Sequence, residues 1–309
     1  MRIVSLLPSL TEICWALGLA DDLVAVTHEC DYPPAVRAKP RITRSLLPPG
    51  LGHAEIDAAV RQRVAAGLPL YELDTEQLAA LAPDLILTQA LCPVCAVSVD
   101  DVCRLAAALP RPPRVVSVEP TTLDEIFDSI ETVGEATGRR ETARAVVTAL
   151  RQRLAWIQQR LAGTRNRPRV VCLEWLAPPI VVGHWVPEMV ELAGGHDILG
   201  IAGKPSFTVT WEHVAAADPE VLVLMPCGYD LAGVQELGQQ LLADPAIRDV
   251  PAVSHGAVWA VDASSYFSRP GPRVVAGVEI LAALLHPERC STDMQDRAAP
   301  VRPLSSLVS

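Results

Sequence analysis

The chain has 309 residues, 50% of them hydrophobic and 20% charged, which is enough to bury one large or two medium cores and excludes a disordered chain. It carries a formal net charge of −10, and of its 26 basic residues only Lys39 and Lys204 are lysines; no basic stripe exists to neutralise phosphates, so nucleic acid and anionic membrane surfaces are poor partners. The mean hydropathy of +0.26 comes from dispersed Ala, Val and Leu, and without a run of about 18 apolar residues no segment spans a bilayer.

Met1 passes directly into strand-like residues 3–6, with none of the charged, apolar and small-residue regions of an export signal. As written the sequence predicts a cytoplasmic protein, or a periplasmic or cell-surface one whose signal has been removed. Leu7-Pro8-Ser9-Leu10-Thr11-Glu12 follows, where Ser9 or Thr11 is placed to cap the next helix, either as a plain cap or with backbone N–H groups presented to a ligand. A second strand over residues 23–27 leads into His28-Glu29-Cys30-Asp31-Tyr32-Pro33-Pro34. Its prolines predict a turn, and Tyr32 suits either packing or stacking on a flat ligand.

Residues 75–82 read as a short helix stopped by Pro83, then a buried strand over 84–88. Cys92-Pro93-Val94-Cys95 comes next, ahead of a helix at 99–109, and admits three readings: a redox dithiol with one thiol acidified by the helix start, a contact to a metal or metal chelate, or a buried structural pair. A structural zinc needs a second ligand pair, and none with regular spacing is present. The eight cysteines are too dilute for a disulfide scaffold, and several sit in apolar runs as small core residues. A strand at 115–118 closes this first group.

Residues 122–163 form the longest helix-compatible stretch, acidic in its first turn and interrupted by Gly134 and Gly138. This predicts a rigid helical strut and not a flexible linker. The second group has strands at 170–174, 221–225 and 258–261. Glu174-Trp175 leaves the first of them, Gly183-His184-Trp185 opens a helix, and Trp211 starts another. With only six Trp, four Tyr and three Phe in the chain, Trp175, Trp185 and Trp211 are candidates for the lining of a planar-ligand pocket, whereas Trp15 and Trp156 read as helix packing. His184 reads either as a hydrogen-bonded structural residue or as a metal ligand through a neutral imidazole, with Glu174 as a second candidate ligand. The stretch Tyr266-Phe267-Ser268-Arg269-Pro270-Gly271-Pro272-Arg273 follows the last strand. Arg269 there is suited to a forked hold on a carboxylate, amide or phosphate, and Arg273 to a surface ion pair.

Strands alternating with helices predict an α/β fold: two Rossmann-like lobes with mainly parallel sheets, joined by a long rigid interdomain helix. The expected division is residues 1–118, 119–163 and 164–290, with a disordered tail at 291–309. An internal repeat supports two related lobes. Glu76 and Glu212 each start a short helix that ends at a Pro seven positions on, ahead of a buried strand, and Arg2-Ile3-Val4 parallels Arg169-Val170-Val171. No G-x-S-x-G, H-E-x-x-H or Walker loop is present, and Gly50-Leu51-Gly52 lacks its third glycine, so no catalytic residues are assigned. What remains is a set of polar and aromatic residues after the strands, where open α/β sheets bind ligands.

Taken together, the opening residues 2–12, the Asp31-Tyr32-Pro33-Pro34 turn, the two Glu-to-Pro repeats and the 266–273 stretch resemble the helical-backbone class of substrate-binding proteins of ABC importers, most closely its cobalamin-binding branch. The resemblance covers residues 1–288. It implies a non-enzymatic, monomeric protein without an intrinsic cofactor, holding its ligand between two lobes with little hinge motion. It also implies that Glu76 and Glu212 dock on the transporter's membrane subunits, and that Tyr32, Trp211 and residues 266–269 contact a corrinoid. Pro8, Tyr229 and Phe267 complete the expected ligand-binding set. Cobalamin is the expected ligand, with an iron chelate or haem as the alternative. Two rival readings are a cytosolic corrinoid chaperone or sensor without a transporter, and a redox or metal-handling enzyme centred on Cys92 and Cys95.

Overall fold

The short Val, Ile and Leu runs become strands and the longer segments become helices in a computed structural model that describes residues 1–90, 98–291 and 296–303. The chain divides into two units, Met1–Pro120 with Asp124–Thr148, and Thr121–Leu123 with Ala149–Ser309.

Unit 1 runs β1 (Ile3–Ser5), α1 (Pro8–Ala16), β2 (Leu23–Ala25), β3 (Thr43–Ser45), α2 (His53–Ala65), β4 (Tyr71–Leu73), α3 (Thr75–Leu81), β5 (Leu85–Thr88), α4 (Val99–Ala108), β6 (Arg114–Ser117) and most of α5 (Leu123–Ala136). Its four-stranded sheet has the order β2-β1-β5-β6 and is parallel throughout. The chain leaves β1 for a neighbour on one side and returns to β5 on the other, so the switch point, where such sheets bind ligands, lies at the C-terminal ends of β1 and β5. Val4, Leu6, Ala25, Ile42, Ile86 and Val102 pack together as its core. The antiparallel pair β3 and β4, with α2 between them in sequence, is an excursion that the strand and helix periodicity does not announce.

The long helical stretch is two helices, α5 and α6 (Arg140–Leu161). Gly138 breaks it at φ +71°, a conformation that costs glycine little. Gly134 lies inside α5, where a Cβ would come within 2.4 Å of the Ala143 side chain; the two helices therefore approach more closely than any larger residue permits. Residues of α6 belong to unit 1 as far as Thr148 and to unit 2 from Ala149. Trp156 on this helix is 49% exposed under the Arg160 guanidinium, and is not the packing residue expected.

Unit 2 continues with β7 (Arg169–Leu176), β8 (Pro179–Val181), α7 (Val186–Leu192), β9 (His196–Asp197), β10 (Phe207–Thr208), α8 (Trp211–Ala216), β11 (Val221–Leu224), α9 (Leu231–Leu242), α10 (Pro251–Ser254), β12 (Val258–Val261), α11 (Ala263–Tyr266), α12 (Val274–Leu285) and β13 (Ala298–Pro300). Its sheet has the order β10-β8-β7-β11-β12-β13, with β9 also on β7. The centre is parallel, but β8, β10 and β13 pair antiparallel. The tail is therefore partly ordered: Ala298–Pro300 pairs with β12, and Val301 is buried against α9 and β11. Ala-Ala-Pro carries no alternating pattern, so neighbouring strands and not local sequence hold it in place.

The repeat is visible as backbone. Both α3 and α8 lead into a left-handed residue, Ala82 (φ 41°) and Asp218 (φ 57°), then a Pro, an acid and a buried strand. In unit 1 the Arg2 amide donates to Asp84 Oδ2 at 2.7 Å and its Nε to Leu81 O at 2.7 Å. In unit 2 the Arg169 amide donates to Glu220 Oε2 at 2.8 Å and its Nε to Asp218 O at 2.9 Å. The same Arg–acid clasp holds the N-terminal ends of the central strands in each unit.

Candidate functional site

At the C-terminal strand ends of unit 1, Ser9 and Thr11 do not cap α1. The helix begins ahead of both, at Pro8, whose fixed φ suits the first helical position, and Leu7 is the N-cap without a side-chain bond. Ser9 is buried, and Pro8 lies in the same buried first turn. Thr11 instead joins a buried ladder. Its hydroxyl donates to Ser5 Oγ at 2.8 Å, and Ser5 donates on to Leu7 O at 3.0 Å. With that proton committed, the contact of 3.2 Å to Cys30 places the thiol as donor to Thr11, and the Thr27 hydroxyl, also 3.2 Å away, as donor to Cys30. Arg41 donates to Thr27 O and Cys30 O at 2.6 and 2.5 Å. The loop after β2 is thus tied down from both sides, and its Tyr32 stands 45% exposed.

His28 on the same loop is half-buried. Its Nδ1 is 2.8 Å from the Thr43 hydroxyl, and its ring lies 5.5 Å from that of Tyr71. Burial, helped by the Arg41 charge, lowers its pKa, so the ring is neutral near pH 7, and its Nε2 makes no hydrogen bond with a described residue. Cys92 and Cys95 lie outside the described residues.

The corresponding end of unit 2 is aromatic. Trp175, near the end of β7, meets Tyr229, beyond β11, edge to face at 6.2 Å between ring centroids. The Cys227 amide donates to Glu174 O at 3.1 Å, and the Ser264 amide to Tyr229 O at 3.0 Å, so three successive strand ends are stitched together. Asp262 caps α11 by accepting from Ser265 N at 2.9 Å, which sets Tyr266 at the helix end. The guanidinium carbons of Arg273 and Arg297 each lie 5.7 Å from the Tyr266 ring centroid. Arg269 and Tyr266 are half-buried. Trp185 and Phe267, expected at the ligand, are 6% and 1% exposed, with Trp185 Nε1 donating to Phe267 O at 2.9 Å. They are core residues with no face to offer, because α7 and α12 close over them. Trp211 at the start of α8 is half-buried against the unit 2 core.

His184 takes a left-handed φ of 51°. Its amide donates to Lys204 O at 2.7 Å and its carbonyl accepts from Gly203 N at 2.9 Å. A Cβ on the preceding Gly183 would lie 2.1 Å from Lys204 O, so the two backbone segments touch. Burial lowers the His184 pKa, which keeps the ring neutral near pH 7. The loop that holds it springs from Asp197, whose Oδ1 accepts from Leu199 N and Gly200 N while Oδ2 is buried without a hydrogen bond. Burial raises the Asp197 pKa to about 6 against those backbone bonds. Among the described residues no three His, Cys, Asp or Glu side chains gather to hold a metal. Among those residues His184 and Glu174 are therefore not joined by a third such side chain.

Glu76 and Glu212 occupy the second position of α3 and α8 and are exposed. Each helix is capped by a side chain, Asp74 accepting from Gln77 N and Thr210 from His213 N. His28, Cys227 and Arg297 stand at the strand ends without having been singled out from sequence. For the first two the signal is a polar loop directly after a strand, whereas Arg297 depends on a strand that has no sequence pattern.

The profile of the periplasmic binding protein family matches residues 3–264. A vitamin B12-binding protein of Vibrio cholerae is 27% identical over 298 residues, covering 92% of this chain and 88% of its own. Among solved structures, the periplasmic vitamin B12 binding protein BtuF of Vibrio cholerae is similar with a TM-score of 0.64 at 26% identity, covering 92% of this chain and 96% of that one. The apo periplasmic heme-binding protein RhuT from Roseiflexus sp. RS-1 is similar with a TM-score of 0.70 at 24% identity, covering 93% and 98%.

Proposed function

The chain belongs to the periplasmic binding protein family, and from that premise we propose that it is a non-catalytic carrier of cobalamin or a related corrinoid, delivering it to an ABC transporter. The observation that carries the ligand is the similarity to the Vibrio cholerae vitamin B12-binding protein across 92% of the chain. The side chains suit the task. Trp175, Tyr229 and Tyr266 offer apolar faces to a large planar ring, Arg269 offers a fork of donors to its polar edge, and exposed Tyr32 stands on a loop fastened by hydrogen bonds. Rigid aromatic faces and a pinned loop lose little entropy on binding, which favours affinity without a large conformational change.

Haem or a ferric chelate is the second reading, supported by two half-buried histidines, His28 and His184, that burial keeps neutral and therefore able to ligate iron. Glu76 and Glu212 serve as the docking acids, one at the same helical position in each unit, for a twofold-related pair of basic sites on the transporter. On this reading the protein works in the periplasm or at the cell surface.

The test is a parallel titration of metal-free protein with cyanocobalamin, aquocobalamin, haemin and a ferric catecholate, followed by Trp fluorescence and absorbance. One-to-one sub-micromolar quenching by the cobalamins alone is expected. Tight binding of haemin or the ferric chelate with no response to either cobalamin transfers the assignment to the second reading, and silence from all four overturns both.

A further inference from the structure

The segment between β9 and β10, residues 198–206, is a surface flap fastened at two places. At its tip the Gly203 amide donates to His184 O at 2.9 Å and the His184 amide to Lys204 O at 2.7 Å. Along it Ile201, Ala202, Lys204 and Pro205 are exposed, the profile of a segment that opens while the rest of the fold stays closed. At its root stands Asp197, 8% exposed. Its Oδ1 accepts from the Leu199 and Gly200 amides at 3.2 and 2.6 Å, and a Cβ on Gly200 would lie 2.6 Å from Oδ2. The turn is folded directly over the carboxyl.

That cover leaves Oδ2 buried without a hydrogen bond, which costs a carboxylate far more than a neutral carboxyl. The surrounding groups do not compensate. Glu191 on α7 accepts from the Asp197 amide at 3.3 Å, and its own charge opposes a second one there. Cys172 on β7 is a buried thiol that burial and the Asp197 charge keep protonated. His196 favours the carboxylate, but its Nδ1 lies 2.9 Å from Glu191 Oε1 and is engaged with it. Arg167 is spent on Glu191 Oε2 and Gly195 O, Arg169 on Asp218 and Glu220, and His286 beyond α12 on Gly194 O. Lys204 on the flap is exposed, and burial keeps the His184 ring neutral near pH 7. A carboxylate at this root reaches water only when the flap lifts.

We propose that the flap at residues 198–206 is a proton-governed latch, closed while Asp197 carries a proton and released to open when the carboxyl ionises and takes up water. The consequence reaches the candidate site, because the flap holds the His184 backbone and runs on through β10 into α8, whose second residue is Glu212. Acid firms this side of unit 2 and neutral pH loosens it, whichever ligand the protein carries.

Hydrogen exchange of the wild-type protein from about pH 4 to 8, corrected for the intrinsic amide rates, tests the latch. The His184 and Gly203 amides are expected to exchange about tenfold or more faster than those of β11, which marks a local opening. Burial raises the Asp197 pKa from 3.8 to about 6, and opening returns the carboxyl to its ordinary value. Protection of the two flap amides should therefore fall about tenfold per pH unit between about pH 4 and 6 and level off above. Asp197→Asn, uncharged at every pH, should lose that slope and at pH 7 protect the flap about a hundredfold better than the wild type. Wild-type flap protection equal to that of β11, or unchanged across the window, overturns the latch without recourse to any variant. A slope that survives in folded Asp197→Asn belongs to another group and overturns it as well.

Discussion

Arg2 and Arg169 hold the same position in their two units, each clasping an acid and a helix-end carbonyl where the parallel strands begin. At the opposite ends of those strands the likeness stops. Unit 1 finishes in small buried hydroxyls and a thiol, Ser5, Thr11, Thr27 and Cys30, that bond to one another. Unit 2 finishes in Trp175, Tyr229 and Tyr266 with two arginines on the last ring. The two frames share the contacts that register their strands and differ at the C-terminal strand ends, the part of an α/β sheet that carries function. One unit invests its strand ends in rigidity and the other in surface.

The contrast can be broken most forcefully at Gly183. A methyl group there collides with Lys204 O, and main chain cannot step aside, so Gly183→Ala should cost about 3 kcal/mol or more of unit 2 stability. Calorimetry should show the unit 2 transition moving and that of unit 1 unchanged; a common shift would mean the units do not unfold separately.

The pH dependence should sharpen it, because the two units tilt in opposite directions. Asp197 has its pKa raised from 3.8 to about 6 by burial. Between about pH 4 and 6 the folded unit 2 keeps a proton that the unfolded chain releases, so its stability falls as pH rises through that window, by on the order of 2–3 kcal/mol. In unit 1, His53 has its pKa lowered from 6.5 to about 4 by burial, against the pull of Asp57. There the unfolded chain binds the proton first, so stability falls as pH drops from about 6.5 towards 4. Asp197→Asn should remove the first slope and leave the second, as read by denaturant titrations at successive pH values.

Ligand affinity should divide less steeply. Trp175→Ala or Tyr229→Ala is expected to weaken the ligand by about 1–2 kcal/mol, roughly tenfold, whereas Tyr32→Phe, which keeps the ring, should change it less than twofold in the same fluorescence titration. Least of all should the shared clasp discriminate. Arg2→Ala and Arg169→Ala are each expected to cost about 0.5–1 kcal/mol, being exposed bonds; costs differing by more than 1 kcal/mol in urea melts would refute the equivalence of the two clasps.

Sequence reading recovers the frame because the frame is written in local signals. Val and Ile runs mark β1, β5, β7, β11 and β12, prolines stop α3 and α8, and the Arg2 and Arg169 repeats fall on matching bonds. The site was legible only in part. Trp175 and Tyr266 stand at strand ends, as their positions suggest, but Trp185 and Phe267 have the same composition and position and are buried by α7 and α12 packing over them. Ser9 and Thr11 look like caps, yet the helix starts ahead of both, at Pro8, and the Thr11 hydroxyl turns inward. Arg297 could not be found at all, because a strand of Ala-Ala-Pro is specified by its neighbour and not by itself.

That last strand also decides how the protein behaves in a crowd. Without β13, the apolar Val258–Val261 strand would form the rim of the unit 2 sheet, with a row of backbone donors and acceptors open to any passing extended chain. With it, the rim is a segment that contains Pro300, which has no amide to offer a further strand, followed by a second proline at position 303. Eight residues near the end of the chain thus act as a selvedge, keeping the woven edge from unravelling into fibres, and a protein trimmed of them should be lost to aggregation.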